Sequence, residues 1–227
     1  MKIYIDSAQV STWTLPAGCP AIVGATTNPT LVYQAGLPVN LPTYLYLVKA
    51  AADHGFAELM VQLPSPDVAQ TLQWLDTLRA QADKAQLRLT IKVPCHVDWL
   101  PCIQALTQAG QALLLTGLSN PVQLLWAQSL KVAYVAPYVG RLVADGRDVW
   151  ALMDACVAVQ NNPSGGPALL AASIKSPEVL ARLIGCGAAA VTLPPTSLIT
   201  WAGDALTEAA MGQFNSDIAA SLALISH

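Results

Sequence analysis

The segment Leu89-Thr90-Ile91-Lys92-Val93-Pro94 has the composition of a buried β-strand. Its branched apolar residues favour extended backbone, it contains no turn former, and a proline closes it. Lys92 is the exception, because burial disfavours the ammonium form and can lower the pKa of a lysine by roughly 3–5 units. A neutral amine can attack a carbonyl and form a Schiff base. The alternatives are a lysine that extends to solvent, or one in a structural ion pair.

Seven other segments of the chain share this strand-like composition. With 88–93 as the fourth, the predicted strands are 3–5, 21–25, 58–63, 88–93, 112–116, 132–136, 169–173 and 189–193. Helical patterns are predicted over 41–54, 66–85, 97–109, 121–130, 148–159, 177–184 and 204–224, with Gly110 and Gly185 closing two of them. The strands are continuous apolar runs, as in parallel sheets that are covered on both faces.

Eight such strands, each with a helical segment after it, predict one (β/α)₈ barrel over residues 1–227. A doubly wound open sheet is the alternative, but its glycine-rich first turn is absent. The last helix, 204–224, has no strand to follow it, and we expect it to pack on a neighbouring subunit.

The chain carries unusually few charges. Hydrophobic residues make up 54% and charged residues 11% of the sequence, whereas about 25% charged residues is typical. So little charge predicts that part of the surface is buried in a homo-oligomer. The net charge of -3 provides no basic patch, which argues against a nucleic-acid partner.

Compartment and metal content are also constrained. No apolar run reaches the ~20 residues that span a bilayer, and the N-terminus does not resemble a signal peptide, so we expect no membrane association. The five cysteines form no CxxC pair and suit a reducing cytoplasm. The three histidines show no metal-ligand spacing, which predicts no metal site.

Polar side chains stand at nearly every strand end, where the active site of such a barrel lies. They are Asp6, Thr26, Asn28, Gln62, Lys92, Thr116, Tyr138, Arg141, Ser173 and Lys175. We expect them to converge on one pocket around the lysine amine. Each also has an ordinary structural alternative: Asp6 could cap a helix, Thr26 and Asn28 could form turns, Ser173 could end a strand, and Tyr138 could pack as an aromatic.

Five ordered motifs resemble the transaldolase family, most closely its small members, the fructose-6-phosphate aldolases and short transaldolases. The motifs are Ile3-Tyr4-Ile5-Asp6, Thr26-Thr27-Asn28-Pro29, Ile91-Lys92-Val93-Pro94, the run from Tyr134 to Arg141, and the run from Leu170 to Lys175. The resemblance implies a class I aldolase on a (β/α)₈ barrel that acts on sugars and sugar phosphates, with no metal and no organic cofactor. It also implies a homodecamer of two pentameric rings, with the last helix reaching a neighbour.

The resemblance assigns roles to the strand-end residues. It implies that Lys92 forms the Schiff base, that Asp6 acts in proton transfer, and that Asn28 and Thr26 bind substrate. It implies that the phosphate of the aldehyde is held by Arg141, Ser173 and Lys175.

Two positions separate the activities within the family. Short transaldolases generally carry a glutamate on strand three and a phenylalanine after the sixth-strand proline, whereas the aldolases carry glutamine and tyrosine. This chain has Gln62 and Tyr138, which with Thr116 would hold a water that moves protons. We therefore expect a lyase of the fructose-6-phosphate aldolase type, with a dihydroxyacetone or hydroxyacetone donor. The alternatives are a transaldolase and a non-catalytic sugar-phosphate-binding barrel.

The chain departs from the family pattern at several points. The segment around Thr116 lacks the usual glycine-threonine pattern, and Gly140 stands where an asparagine is common. His96 follows the lysine strand; it could reach the pocket mouth, but a helix-start role is favoured. The proline-rich stretch 11–20 is expected to reshape the first helix.

Overall fold

Eight parallel strands close into one barrel in the computed structural model, which describes residues 1–225. The strands are β1 (Lys2–Asp6), β2 (Gly24–Thr26), β3 (Glu58–Gln62), β4 (Arg88–Pro94), β5 (Leu113–Leu118), β6 (Tyr134–Pro137), β7 (Ala168–Ala171) and β8 (Ala190–Leu193). The barrel closes where β8 pairs with β1, with Tyr4 opposite Thr192. The predicted (β/α)₈ barrel is confirmed. Ser226 and His227, the last residues of the predicted domain, lie outside the described residues.

Helices surround the barrel and connect its strands. They are α1 (Pro29–Gln34), α2 (Leu41–Asp53), α3 (Val68–Lys84), α4 (Leu100–Gln108), α5 (Pro121–Ser129), α6 (Val139–Ala144), α7 (Val149–Gln160), α8 (Pro177–Cys186), α9 (Pro195–Thr200) and α10 (Ala205–Ile225). The seven predicted helices are present with small shifts of their ends. The short helices α1, α6 and α9 were not predicted, because six residues are too few to display a helical period.

A buried carboxylate organises the lower half of the barrel interior. Tyr4 donates its hydroxyl to Glu58 Oε2 at 2.6 Å, Tyr134 does so at 3.2 Å, and Thr90 donates to Oε1 at 2.5 Å. These side chains come from four strands and meet inside the barrel. Because strand side chains alternate between faces, Lys92 faces the same interior as Thr90, nearer the C-terminal ends of the strands.

The connection from β1 to β2 corrects one prediction. Only a 3₁₀ turn, Val10–Thr12, follows β1, so a helical segment does not follow every strand. Prolines within 11–20 lack the N–H group that a helix requires. The buried Trp13 covers this side of the barrel; its indole donates to the Ser7 carbonyl oxygen at 3.0 Å and packs 5.4 Å from the Phe56 ring.

Two boundaries also differ from the predicted ones. Strand β7 ends at Ala171, because Ser173 has a φ of 58°, which is incompatible with a strand. Helix α8 continues through Gly185 to Cys186, and Gly187 closes it in the left-handed region with a φ of 87°. Gly110 closes the 97–109 segment as predicted, donating its N–H to the Thr107 carbonyl oxygen.

Helix α10 stands clear of the barrel surface. Its described side chains, through Leu224, are all exposed. They include the large apolar residues Leu206, Met211, Phe214, Ile218, Leu222 and Leu224. That this helix packs on a neighbouring subunit stays a prediction. Within residues 1–225, no helix combines the length and the apolar content needed to cross a membrane.

Candidate active site

A cavity of about 540 Å³ opens at the C-terminal ends of the barrel strands, a size typical of small-molecule sites. Seven of the ten predicted residues line it, namely Asp6, Asn28, Gln62, Tyr138, Arg141, Ser173 and Lys175. The other three lie deeper in the barrel. Lys92 is 4% exposed, Thr116 3% and Thr26 0%. The predicted residues therefore gather at one end of the barrel, seven lining the cavity and three buried beneath it.

Lys92 has neither of the structural roles that its sequence left open. It is too buried for its amine to extend into solvent, and within residues 1–225 it has no ion-pair partner. Burial lowers the pKa of the Lys92 amine from its ordinary value, and the negative charge of Asp6 opposes part of that effect. The result is a desolvated amine with an enlarged neutral fraction, which is the reactive form.

Asp6 does not cap a helix. No helix begins directly after β1, and the 3₁₀ turn at Val10 is preceded by Gln9. Instead, Thr26 Oγ1 donates to Asp6 Oδ1 at 2.7 Å. The carboxylate therefore stands at the pocket wall, held by a hydroxyl from the adjacent strand.

Asn28 caps a helix with one amide atom and presents the other at the pocket wall. Its Oδ1 accepts from the Leu31 N–H at 2.9 Å and caps α1, with Pro29 at the first helical position. The Asn28 amide nitrogen has no acceptor among the described residues and stands at the pocket wall. It is available to donate to a ligand oxygen.

Gln62 ends β3 with an unpaired oxygen. Its Oε1 is buried and has no hydrogen-bond partner in the part of the chain that the structure describes. Such an atom is expected to accept from a water or a ligand. The backbone of Gln62 is held by Tyr44, whose hydroxyl donates to the Gln62 carbonyl oxygen at 2.6 Å. Sequence reasoning missed Tyr44, since in α2 it shares the helical period of the packed apolar residues.

Thr116 and Tyr138 meet across β5 and β6. The Thr116 hydroxyl donates to the Tyr138 hydroxyl oxygen at 2.7 Å, which leaves the phenolic proton of Tyr138 available for another acceptor. The Arg141 guanidinium lies 4.7 Å from the centroid of the Tyr138 ring, within cation–π range. Tyr138 is therefore more than a packing aromatic, because Thr116 orients its hydroxyl and the residue lines the pocket.

Two cationic side chains, Arg141 and Lys175, and the backbone-strained Ser173 form one rim of the cavity. Arg141 and Lys175 are exposed and belong to no salt bridge among residues 1–225. Ser173 reaches the rim in the left-handed region, and its carbonyl oxygen accepts from the Gly140 N–H at 2.9 Å. This rim carries unneutralised positive charge and suits an anionic group.

Thr192 at the end of β8 is a site residue that sequence reasoning missed. Its Oγ1 lies 2.7 Å from Thr26 Oγ1, the hydroxyl that donates to Asp6. A threonine inside the apolar run Ala190–Leu193 carries only a weak polar signal. β8 was the one predicted strand to which no polar residue had been assigned, and this gap was the signal that could have led to Thr192.

His96 lies outside this cavity. It caps the 3₁₀ turn Val97–Trp99, accepting from the Asp98 N–H at 3.3 Å, which is the favoured helix-start role. Within residues 1–225, no group of three or more His, Cys, Asp or Glu side chains could hold a metal ion.

The sequence matches one family over nearly its whole length. A family model described as Transaldolase/Fructose-6-phosphate aldolase matches residues 3–225. Two relatives are each named "Probable transaldolase". The one from Chelativorans sp. (strain BNC1) is 26% identical over 217 residues, and the one from Anaeromyxobacter sp. (strain K) is 29% identical over 225. Both alignments cover 96% of each chain.

Solved structures agree on the fold. One described as "Native KDPGal structure" superimposes with a TM-score of 0.50 at 14% identity, covering 84% of this chain and 80% of the other. Similarity at this identity supports the barrel alone, whereas the family match rests on the sequence. The chain belongs to the transaldolase/fructose-6-phosphate aldolase family.

Proposed function

We propose that this protein is a class I aldolase of the fructose-6-phosphate aldolase type, in which Lys92 forms a Schiff base with a ketose or a small hydroxyketone. The observation that carries the proposal is the buried, unpaired Lys92 amine with its lowered pKa. It lies beneath a pocket that offers a carboxylate, a free amide oxygen and an oriented phenol. Sugar and sugar-phosphate substrates fit a cavity with so many polar side chains.

The covalent steps follow from amine chemistry. The neutral Lys92 amine adds to the ketone carbon, and loss of water gives an iminium, which withdraws electrons from the adjacent carbons. In the cleavage direction, a base removes the hydroxyl proton, the C–C bond breaks, and its electron pair forms an enamine as the aldehyde leaves. A proton returned to the enamine carbon, followed by hydrolysis, releases the donor ketone and restores the amine.

Side chains of the pocket would carry out the proton transfers. Asp6 would transfer protons during carbinolamine formation and collapse. Tyr138, oriented by Thr116, would act through a water that donates to the buried Gln62 Oε1. Asn28 would donate its amide N–H to a substrate hydroxyl, with Thr26 supporting the same wall.

The aldehyde is proposed to carry a phosphate, as glyceraldehyde 3-phosphate does. Arg141, Ser173 and Lys175 would bind it, because two unpaired cations and a hydroxyl stand together on the pocket rim.

Transaldolase activity is the second candidate, since the relatives bear that name. Gln62 and Tyr138 favour the aldolase. A phenol and a neutral amide can order the water that protonates and hydrolyses the donor, whereas a carboxylate without the phenol favours keeping the donor for transfer. A non-catalytic sugar-phosphate-binding barrel is a third candidate, disfavoured by the desolvated amine.

The deciding assay starts with fructose 6-phosphate alone and then adds erythrose 4-phosphate. An aldolase releases free dihydroxyacetone and glyceraldehyde 3-phosphate without the second aldehyde. Cleavage that requires erythrose 4-phosphate and yields no free dihydroxyacetone would identify a transaldolase. No turnover under either condition would support the third candidate, a non-catalytic sugar-phosphate-binding barrel.

We also propose a homo-oligomeric assembly and a cytoplasmic location. The exposed apolar residues of α10 fit a homo-oligomer in which this helix lies on a neighbour, a decamer by family resemblance. The five unpaired cysteines fit the reducing cytoplasm.

Gly140 provides a test of the phosphate rim. A Cβ atom at Gly140, in α6, would lie 2.4 Å from the Ser173 carbonyl oxygen and 2.7 Å from Lys175 Cγ, so any side chain there displaces the segment that carries Ser173 and Lys175. We expect Gly140→Ala to raise KM for a phosphorylated aldehyde about 10-fold, about 1.4 kcal/mol, with little change for the unphosphorylated analogue. Steady-state kinetics on both aldehydes would measure this.

Gly185→Ala is the matched control, because Gly185 lies in α8 and a Cβ there meets no atom within 4 Å. It should leave both KM values unchanged. Equal effects of Gly140→Ala on both aldehydes would contradict the proposal that Ser173 and Lys175 bind the phosphate.

A further inference from the structure

A chain of hydroxyl groups runs from β8 to the Asp6 carboxylate. Thr192 Oγ1 lies 2.7 Å from Thr26 Oγ1, which in turn lies 2.7 Å from Asp6 Oδ1. Thr26 is 0% and Thr192 2% exposed, so bulk water does not compete for either bond.

The donor and acceptor of each hydrogen bond in this series follow from the number of protons that each group carries. A threonine hydroxyl has one proton to donate and two lone pairs with which to accept, whereas an ionised carboxylate only accepts. Thr26 gives its proton to Asp6, so it must accept from Thr192. All the described donors thus point one way, from Thr192 through Thr26 to Asp6.

The Thr192 hydroxyl is not needed to hold its strand. β8 is already paired with β1 through the backbone, with Tyr4 opposite Thr192, and with β7 through Ala190. The layer beneath it in the barrel is formed by apolar and aromatic side chains such as Ala190 and Leu170. Valine would fill the same volume here without a polar group to satisfy, so the hydroxyl itself calls for an explanation.

We propose that Thr192 is a positioning residue for catalysis. Its hydroxyl fixes the rotamer of the Thr26 hydroxyl, and the Thr26 hydroxyl in turn fixes the orientation of the Asp6 carboxylate at the pocket wall. Without Thr192, the Thr26 hydroxyl loses its donor and can rotate, and the carboxylate is oriented by one bond to a mobile group. This inference rests on the proposed aldolase function.

The test replaces the Thr192 hydroxyl by a methyl group, which keeps the volume of the side chain. Thr192→Val should lower kcat for fructose 6-phosphate cleavage about 10-fold while KM changes less than about 2-fold. Thr192→Ser restores the donor and should recover most of kcat. Equal kcat for Thr192→Val and wild type would overturn the proposal, as would failure of the serine variant to recover activity while it stays folded.

Thr90→Val is the matched control for the loss of a buried hydroxyl. Thr90 also donates to a buried carboxylate, Glu58, but this bond lies beneath the pocket, nearer the N-terminal ends of the strands. It should lower the unfolding temperature and leave kcat unchanged. If it lowers kcat as much as Thr192→Val does, the effect is a general one of buried hydroxyls and the proposal is wrong.

A double-mutant comparison separates positioning from structural damage. If Thr192 acts only through Asp6, adding Thr192→Val to Asp6→Asn should not slow the residual cleavage rate further. Multiplicative losses would contradict the proposal. The wild-type rate is measured alongside: absence of wild-type cleavage would overturn the aldolase function and this inference together, whereas normal wild-type cleavage with an unaffected Thr192→Val overturns the inference alone.

Discussion

Lys92→Met is expected to abolish cleavage of fructose 6-phosphate, with a loss of at least about 10⁴-fold, because the covalent route requires the amine. Methionine has nearly the same length and volume, and the site is buried, so the fold should remain. Assay of glyceraldehyde 3-phosphate release measures the loss. Activity within 10-fold of wild type would exclude Lys92 as the nucleophile.

The same variant should be more stable than the wild type, and increasingly so as the pH falls. Burial lowers the pKa of Lys92 in the folded protein. The unfolded chain therefore binds more protons at this residue, and the free energy of unfolding falls as the pH drops from the unfolded pKa of about 10.4 toward the folded value. Below the pKa of Lys92 in the folded protein, the loss of unfolding free energy caused by burying this lysine no longer changes with pH. Methionine has no such penalty.

Urea denaturation of both proteins across this pH range tests the stability effect. Lys49→Met is the matched control, because Lys49 is exposed and pairs with Asp53 on the surface of α2. The stability gap between Lys92→Met and wild type should widen as the pH falls, whereas the Lys49 variant should show a small gap. A destabilised Lys92→Met at every pH would mean that the amine supports the fold.

Tyr138→Phe is expected to slow release of free dihydroxyacetone about 100-fold, the low end of the effect of a general acid or base. The phenolic proton is available because Thr116 already donates to the Tyr138 oxygen. Phenylalanine keeps the ring beneath Arg141 and removes only the hydroxyl. Transfer of the donor to erythrose 4-phosphate should fall less, since transfer bypasses protonation and hydrolysis of the donor.

The ratio of release to transfer is the informative measurement for this variant. Tyr4→Phe is the matched control, since it removes a buried hydroxyl that donates to Glu58 in the barrel interior and lines no part of the pocket. It should lower stability and leave the ratio unchanged. An unchanged ratio in Tyr138→Phe would refute the assignment of lyase activity to this phenol.

The sequence was sufficient for the barrel because its signals are local. Each strand is a short apolar run, and parallel strands place their C-terminal ends on one face of the barrel, so the polar residues at those ends could be predicted to gather. Lys92 was recognisable because a charge inside an apolar strand is costly. The family motifs then supplied roles for these residues.

The contacts that orient the site could not be predicted in the same way. Tyr44 reaches the Gln62 carbonyl oxygen from a helix, and Thr192 reaches Thr26 across 166 positions of chain. Both residues have an ordinary composition for their elements, and only the packed barrel reveals their partners. The turn at Ser173 was missed for a related reason, since a left-handed serine has no strong sequence signal.

The central claim, a Schiff base on Lys92, is tested most directly by borohydride reduction in the presence of dihydroxyacetone, followed by mass spectrometry of the digested protein. We predict one reduced adduct per chain on the peptide that contains Lys92, and none in Lys92→Met. No adduct in the wild type, or an adduct on another lysine such as the pocket residue Lys175, would contradict it.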